Sequence, residues 1–185
     1  MFKLPKGVDI NNLIDDLRVY SWSACNILLK YGQNFKDEKY ENDFITNKAN
    51  NEPVTLADLA VNNLIVKNLQ NQYANIYWDI LSEENISIKS KKEVEANWIW
   101  ILDPLDGTKD FIQKTGNYAM HLALNYKNKP FIGVVLIPEK NELWIANGNR
   151  VWCENKNGLK KSHSFSNSKN LRNMVVVTSK NHKNK

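Results

Sequence analysis

The chain is predicted to be an α+β protein in which two helices pack on one face of a mainly antiparallel sheet. Three observations carry that prediction. Ile10, Leu13, Ile14, Leu17, Ala24, Cys25, Leu28 and Tyr31 recur at helical spacing. A second apolar stripe, Val61, Leu64, Ile65 and Leu69, follows at the same period. From residue 118 the pattern changes to short alternating strands, Tyr118–Tyr126, Phe131–Ile137, Glu142–Ala146 and Arg150–Cys153, and the breaks between them include the hairpin signal Asn147-Gly148-Asn149.

Taken in order, the first helix is amphipathic and meets Gly32 where a left-handed C-cap is wanted. Residues 33–52 are polar and without sustained periodicity, which predicts a mobile surface loop. The second helix is expected to start at Pro53-Val54-Thr55, and Thr55-Leu56-Ala57-Asp58 has the spacing of a capping box. Asn75 to Leu81 reads as a strand running into Ser82-Glu83-Glu84, and the polar stretch Asn85–Asn97 connects it to a buried strand, Trp98–Leu102. That strand should end at Asp103-Pro104, because proline fixes φ and lacks an N–H. The meander follows, with further breaks at Asn128-Lys129-Pro130 and Pro138–Asn141.

Ser164–Asn173 reads as a connector and Met174–Val177 as a fully apolar strand of the kind found in doubly covered sheets. The expectation is one α+β domain over residues 1–165, then a connector and the first strand of a truncated second domain over 166–185. An uncovered apolar strand also predicts self-association.

The formal charge of +5 belongs to the tail. Residues 155–185 hold eight Lys/Arg and no Asp or Glu, so residues 1–154 carry 17 basic against 20 acidic side chains. A tail of that kind suits polyanions, but Phe165 is its one aromatic, so nucleic acid is not the expected partner. Cys25 and Cys153 lie far apart without a CxxC or a histidine at metal-ligand spacing, which argues for reduced thiols and against zinc. With no apolar signal region and no membrane span, a cytoplasmic protein is expected.

The run Asp103-Pro104-Leu105-Asp106-Gly107-Thr108-Lys109-Asp110-Phe111 concentrates the chemistry. Asp103, Asp106 and the Leu105 carbonyl supply oxygens of the kind Mg²⁺ prefers, and Glu83, Glu84 and Asp58 come from other backbone ends that can converge on them. Carboxylate-bridged metals suit phosphate-ester hydrolysis. Gly107 and Thr108, where a helical turn begins, offer an anion site, and Thr108 is a candidate for holding the attacking water. Each feature has a structural counterpart. Asp58 caps a helix, Glu83-Glu84 is an exposed acidic pair, Lys109 is a solvated lysine, and Asp-Pro-Leu-Asp-Gly is an elaborate turn. His121, inside a strand, reads as a packed or edge residue rather than a ligand.

The run Asp103–Phe111, together with Ser82-Glu83-Glu84 and Pro53–Asp58, resembles the inositol monophosphatase superfamily, and most closely its 3'(2'),5'-bisphosphate nucleotidase, CysQ-type branch. The resemblance runs from about residue 10 to residue 182. It implies the N-terminal layer of an inositol-monophosphatase-like α/β sandwich. It also implies a Mg²⁺ cofactor held by Glu83, Asp103, the Leu105 carbonyl and Asp106. Gly107 and Thr108 then hold the scissile phosphate, and Asp58 with Thr108 orients the water. Lys109 is shared with the nucleotidases, and Ser179 and His182 match a nucleotide-contacting segment, although Lys180-Asn181 departs from its usual Arg-Ser.

The implied reaction removes the 3'-phosphate from 3'-phosphoadenosine 5'-phosphate or its sulfated form, a small phosphorylated metabolite. Family members carry a further metal-binding aspartate in a C-terminal domain, so the expectation for these residues alone is weak or absent turnover. Two other readings stand beside this one. The first is an inositol or sugar monophosphatase of the same superfamily. The second is a non-catalytic remnant or nucleic-acid-binding protein.

Overall fold

The computed structural model describes residues 4–34, 45–47, 53–85, 96–148, 150–164, 170 and 172. Among the described residues, two long helices, α1 (Ile10–Asn34) and α2 (Leu56–Gln72), and one short helix, α3 (Thr108–Ile112), accompany nine strands. Strands β1 (Ile45–Asn47) and β2 (Pro53–Thr55) form an antiparallel pair of their own. Strands β3 (Asp79–Ser82), β4 (Trp98–Asp106), β5 (Ala119–Tyr126), β6 (Lys129–Ile137), β7 (Glu142–Asn147), β8 (Arg150–Glu154) and β9 (Lys160–His163) form a seven-stranded sheet in sequential order. Only β3 and β4 run parallel; the other pairs are antiparallel.

One face of the sheet makes the core. Trp98, Trp100 and Leu102 of β4, Met120, Leu122 and Leu124 of β5, Ile132, Val134 and Leu136 of β6, and Leu143 and Ile145 of β7 are all buried at the two-residue period. Against them pack Leu13, Leu17, Ala24 and Leu28 of α1 and Val61, Ile65 and Leu69 of α2. Burial of each Leu, Ile, Val or Met among them contributes about 1.5–3 kcal/mol. No helix among the described residues is long and apolar enough to cross a membrane.

Several boundaries differ from those read in the sequence. Gly32 does not cap α1; the helix continues to Asn34, and Gly32 lets the Phe111 ring approach, since a Cβ there would lie 3.4 Å from Cε2. Residues 53–55 are strand rather than helix. Thr55 keeps an extended backbone as the N-cap, accepting from the N–H groups of Ala57 and Asp58, so α2 can begin only at Leu56. Within the predicted 33–52 loop, Ile45–Asn47 is the strand that pairs with β2. The strand expected at Asn75–Leu81 is shorter and later, at Asp79–Ser82.

The β5–β6 break falls at Lys127-Asn128, both left-handed, and Pro130 lies inside β6. Strand β9 was hidden in the basic tail. Met174–Val177 and the proposed second-domain segment lie outside the described residues, apart from Asn170 and Arg172.

Strand β4 carries the main departure. It does not stop at Asp103-Pro104 but pairs through to Asp106: Asp103 lies opposite His121, Asp106 lies opposite Ala119, and the register shifts between them. The extra residue is a bulge, a position that tolerates proline. Residues three apart in a regular strand face opposite ways, and one inserted residue restores them to the same face.

At the end of β3, Ser82 is 1% exposed and donates from its hydroxyl to Asn62 Oδ1 of α2 at 2.6 Å. Ser82→Ala leaves that buried oxygen unpaired. Urea unfolding should show a loss of about 1–3 kcal/mol.

Candidate active site

Three backbone segments meet at the β3–β4 side of the sheet. Asp58 sits in the first turn of α2, Glu83 and Glu84 form a 3-10 turn directly after β3, and Asp103 and Asp106 flank the β4 bulge. The Thr55 hydroxyl and backbone N–H both donate to Asp58 Oδ2, at 2.6 and 2.8 Å. The capping box is therefore real, and one carboxylate oxygen serves both donors. Burial pushes Asp58 up to about 6 from an ordinary 3.8; the Thr55 hydrogen bonds pull it back, and the Glu84 charge raises it further.

Asp103 is shifted more. Burial, then the charges of Glu83 and Asp106, push it to about 7, against a hydrogen bond from the Leu105 N–H to its Oδ1 at 3.1 Å. The Glu83 carboxyl is within hydrogen-bonding reach of Asp103. The bulge thus places Asp106 on the Asp103 side, and β3 brings Glu83 to the same point.

Beyond the bulge, Gly107 adopts φ 86° and ψ 37°, and a Cβ there would lie 2.8 Å from the Asn117 carbonyl oxygen. Glycine is required on both counts. Thr108 opens α3 and donates its hydroxyl to the Leu105 carbonyl at 3.1 Å. This short helix is seated by Phe111, which is buried edge-on against Tyr118 with ring centroids 4.9 Å apart. Tyr118 is itself fixed by a 2.8 Å hydrogen bond from its hydroxyl to Glu139. Lys109 is exposed on α3.

The structure therefore brings together Asp58, Glu83, Asp103, Leu105, Asp106, Gly107 and Thr108 along one continuous stretch. Ser179 and His182 lie outside the described residues. His121 corrects the sequence reading: it is neither packed nor on an edge strand. It lies on interior strand β5, its side chain 46% exposed, with Nε2 3.9 Å from Asp106 Oδ2. A lone histidine in an alternating strand gives no signal of this; only the register does.

Among the described residues, no three His, Cys, Asp or Glu side chains close around a common point as a finished metal cage. What is present is an open group of mutually repelling carboxylates beside a backbone carbonyl. An all-oxygen, negatively charged donor set fits a hard divalent cation, which would remove the repulsion that raises Asp103.

Residues 17–185 match the inositol monophosphatase family. The 3'(2'),5'-bisphosphate nucleotidase CysQ of Escherichia coli O6:H1 is 35% identical over 140 residues, covering 75% of this chain and 53% of the relative. CysQ of Buchnera aphidicola is 33% identical over 158 residues, covering 82% and 56%. The chain spans about half the length of the curated relatives it matches. Among solved structures, an IMPase/NADP phosphatase complexed with NADP and Ca²⁺ superposes with a TM-score of 0.64 at 20% identity, covering 80% of this chain and 53% of that one. A staphylococcal IMPase complexed with products gives 0.61 at 21% identity, covering 79% and 51%. With the fold, the motifs and the matched sequence in agreement, the chain belongs to the inositol monophosphatase family.

Proposed function

We propose that this site is the phosphate-cleaving half of a Mg²⁺-dependent 3'(2'),5'-bisphosphate nucleotidase acting on 3'-phosphoadenosine 5'-phosphate or its sulfated form. The observation that carries the reading is the crowding of Glu83 and Asp106 around a buried Asp103: burial first, and then the charges of its two neighbours, raise Asp103 to about 7 and leave the group short of positive charge. The nucleotidase relatives supply the substrate class.

Glu83, Asp103, the Leu105 carbonyl and Asp106 would hold the metal. Bound there, Mg²⁺ supplies an activated water and charge stabilisation for the leaving oxygen. Gly107 and Thr108 bind the scissile phosphate at the start of α3, where first-turn N–H groups have no acceptor within the helix. Asp58, desolvated and aligned by Thr55, accepts the proton of the attacking water, and the Thr108 hydroxyl orients that water. Lys109 attracts the substrate anion from the exposed side of α3. The residues named here are those that would contact the scissile phosphate.

Phosphate release from 3'-phosphoadenosine 5'-phosphate and from inositol 1-phosphate, each with Mg²⁺, tests the substrate. Faster release from the nucleotide is expected, and preference for inositol 1-phosphate would sink the assignment. Asp58→Asn should slow the reaction by ~10²–10⁴-fold, the usual share of a general base. Gly107→Ala, by displacing the phosphate contacts, should cost about 10²-fold.

The raised carboxyls also set a pH dependence. Between 3.8 and about 7 the folded chain binds more protons at Asp58 and Asp103 than the unfolded chain does. Metal-free stability is therefore greatest below that window and falls as pH rises through it. Thermal melts in EDTA should show Tm declining across the window, with a shallower decline in Asp103→Asn. Because Mg²⁺ binds the ionised carboxylates, it should raise Tm more at pH 8 than at pH 5.

A further inference from the structure

At the end of the sheet remote from β3 and β4, strands β8 and β9 face α1 across an open groove of about 480 Å³. Four strand spacings, roughly 19 Å, separate β8 from β4, so the groove is distinct from the carboxylate site. Strand pairing sorts its charges. Arg150, Trp152 and Glu154 alternate along β8 and share one face; Ser162 of β9 lies opposite Trp152, and Lys160 lies opposite Glu154. Both oxygens of Glu154, which is 6% exposed, already have donors: Arg18 Nε at 2.6 Å and Trp152 Nε1 at 3.1 Å. Arg18 gives a second nitrogen to Asp15. Lys160 therefore leans away from the acid across from it, and its Nζ stands 4.1 Å from the centre of the Trp152 ring. The Arg150 guanidinium is exposed and has no acidic or hydrogen-bonding partner among the described residues. Two cations thus flank a Trp152 floor, while the acid that lines the groove, Asp15, is already bound to Arg18.

We propose that the groove between α1 and β8–β9 is a metal-independent anion site that takes a phosphorylated small molecule through Arg150 and Lys160. A phosphoryl group brings close to two negative charges and three acceptor oxygens. Arg150 meets it as a planar fork, Lys160 as a point charge, and the Ser162 hydroxyl supplies a neutral donor between them. The groove has the size of a small-ligand pocket. Asp15 on its rim, with a side chain 68% exposed, repels a continuous polyanion passing along α1 and so disfavours nucleic acid. The site depends neither on the metal nor on the reaction proposed above.

Inorganic pyrophosphate is the probe, added to the 185-residue chain in EDTA. The Trp152 indole N–H, assigned from its absence in Trp152→Phe, reports binding at the groove by NMR. Its resonance should move saturably in the native chain. Arg150→Gln combined with Lys160→Gln, confirmed as folded by circular dichroism, should weaken binding by at least about tenfold. Lys67→Gln, which removes an exposed charge from α2, should weaken it by less than about twofold.

No saturable shift at millimolar pyrophosphate overturns the assignment. Equal weakening in Lys67→Gln and in the double variant also overturns it, because the attraction then belongs to net charge rather than to the groove. A short single-stranded oligonucleotide that moves the same resonance and binds ~10²-fold more tightly than pyrophosphate, with a steep salt dependence, makes the groove part of a nucleic-acid surface and overturns the small-molecule reading. Each of these results leaves the carboxylate site standing.

Discussion

Carboxylates that repel one another must be held together before any chemistry at this site is feasible, and the parallel pair β3–β4 supplies that restraint. Glu83 leaves the end of β3 beside Asp103 of β4, and burial together with the neighbouring charges gives an Asp103 carboxyl that resists ionisation. An exposed loop would relax by moving the charges apart. Here Ser82 is tied to Asn62 beneath them, and Trp100, buried three residues before Asp103, is clamped edge-on to Trp78. The hydrophobic core and the charged site are thus parts of one arrangement: packing on the inner face of the sheet keeps the carboxylates close.

The same economy appears around the two helix starts. Thr55 and Asp58 cap α2 reciprocally, and the cap is also what buries and aligns the Asp58 carboxylate. Helix α3 is too short to hold itself, at five residues, and depends on Phe111 being trapped between Gly32 of α1 and Tyr118. Thr108 is therefore positioned by contacts that reach across to α1 and the turn after β6, far outside its own motif.

Both long helices were legible because their apolar stripes persist over several turns, and most meander strands because alternation and Asn-Gly pairs agree. β9 was not: Lys160-Lys161-Ser162-His163 has no apolar residue to alternate, and it becomes a strand only by pairing with β8. Pro53 looked like a helix opener when it is a strand start, since proline at either place obeys the same φ constraint. In the site, Asp58, Glu83, Asp103 and Asp106 were legible as motif residues. The Ser82–Asn62 bond and the facing of His121 onto Asp106 were not, because each depends on how separate strands and helices meet in space.

The bulge in β4 makes this turn sensitive to counting rather than to chemistry. Asp106 reaches the Asp103 side only because one surplus residue stands between the two pairings with β5. The same residues paired with β5 without the bulge would send the second carboxylate toward the buried face, with every side chain in this stretch unchanged in kind. The spacing of the two aspartates is a structural quantity in its own right.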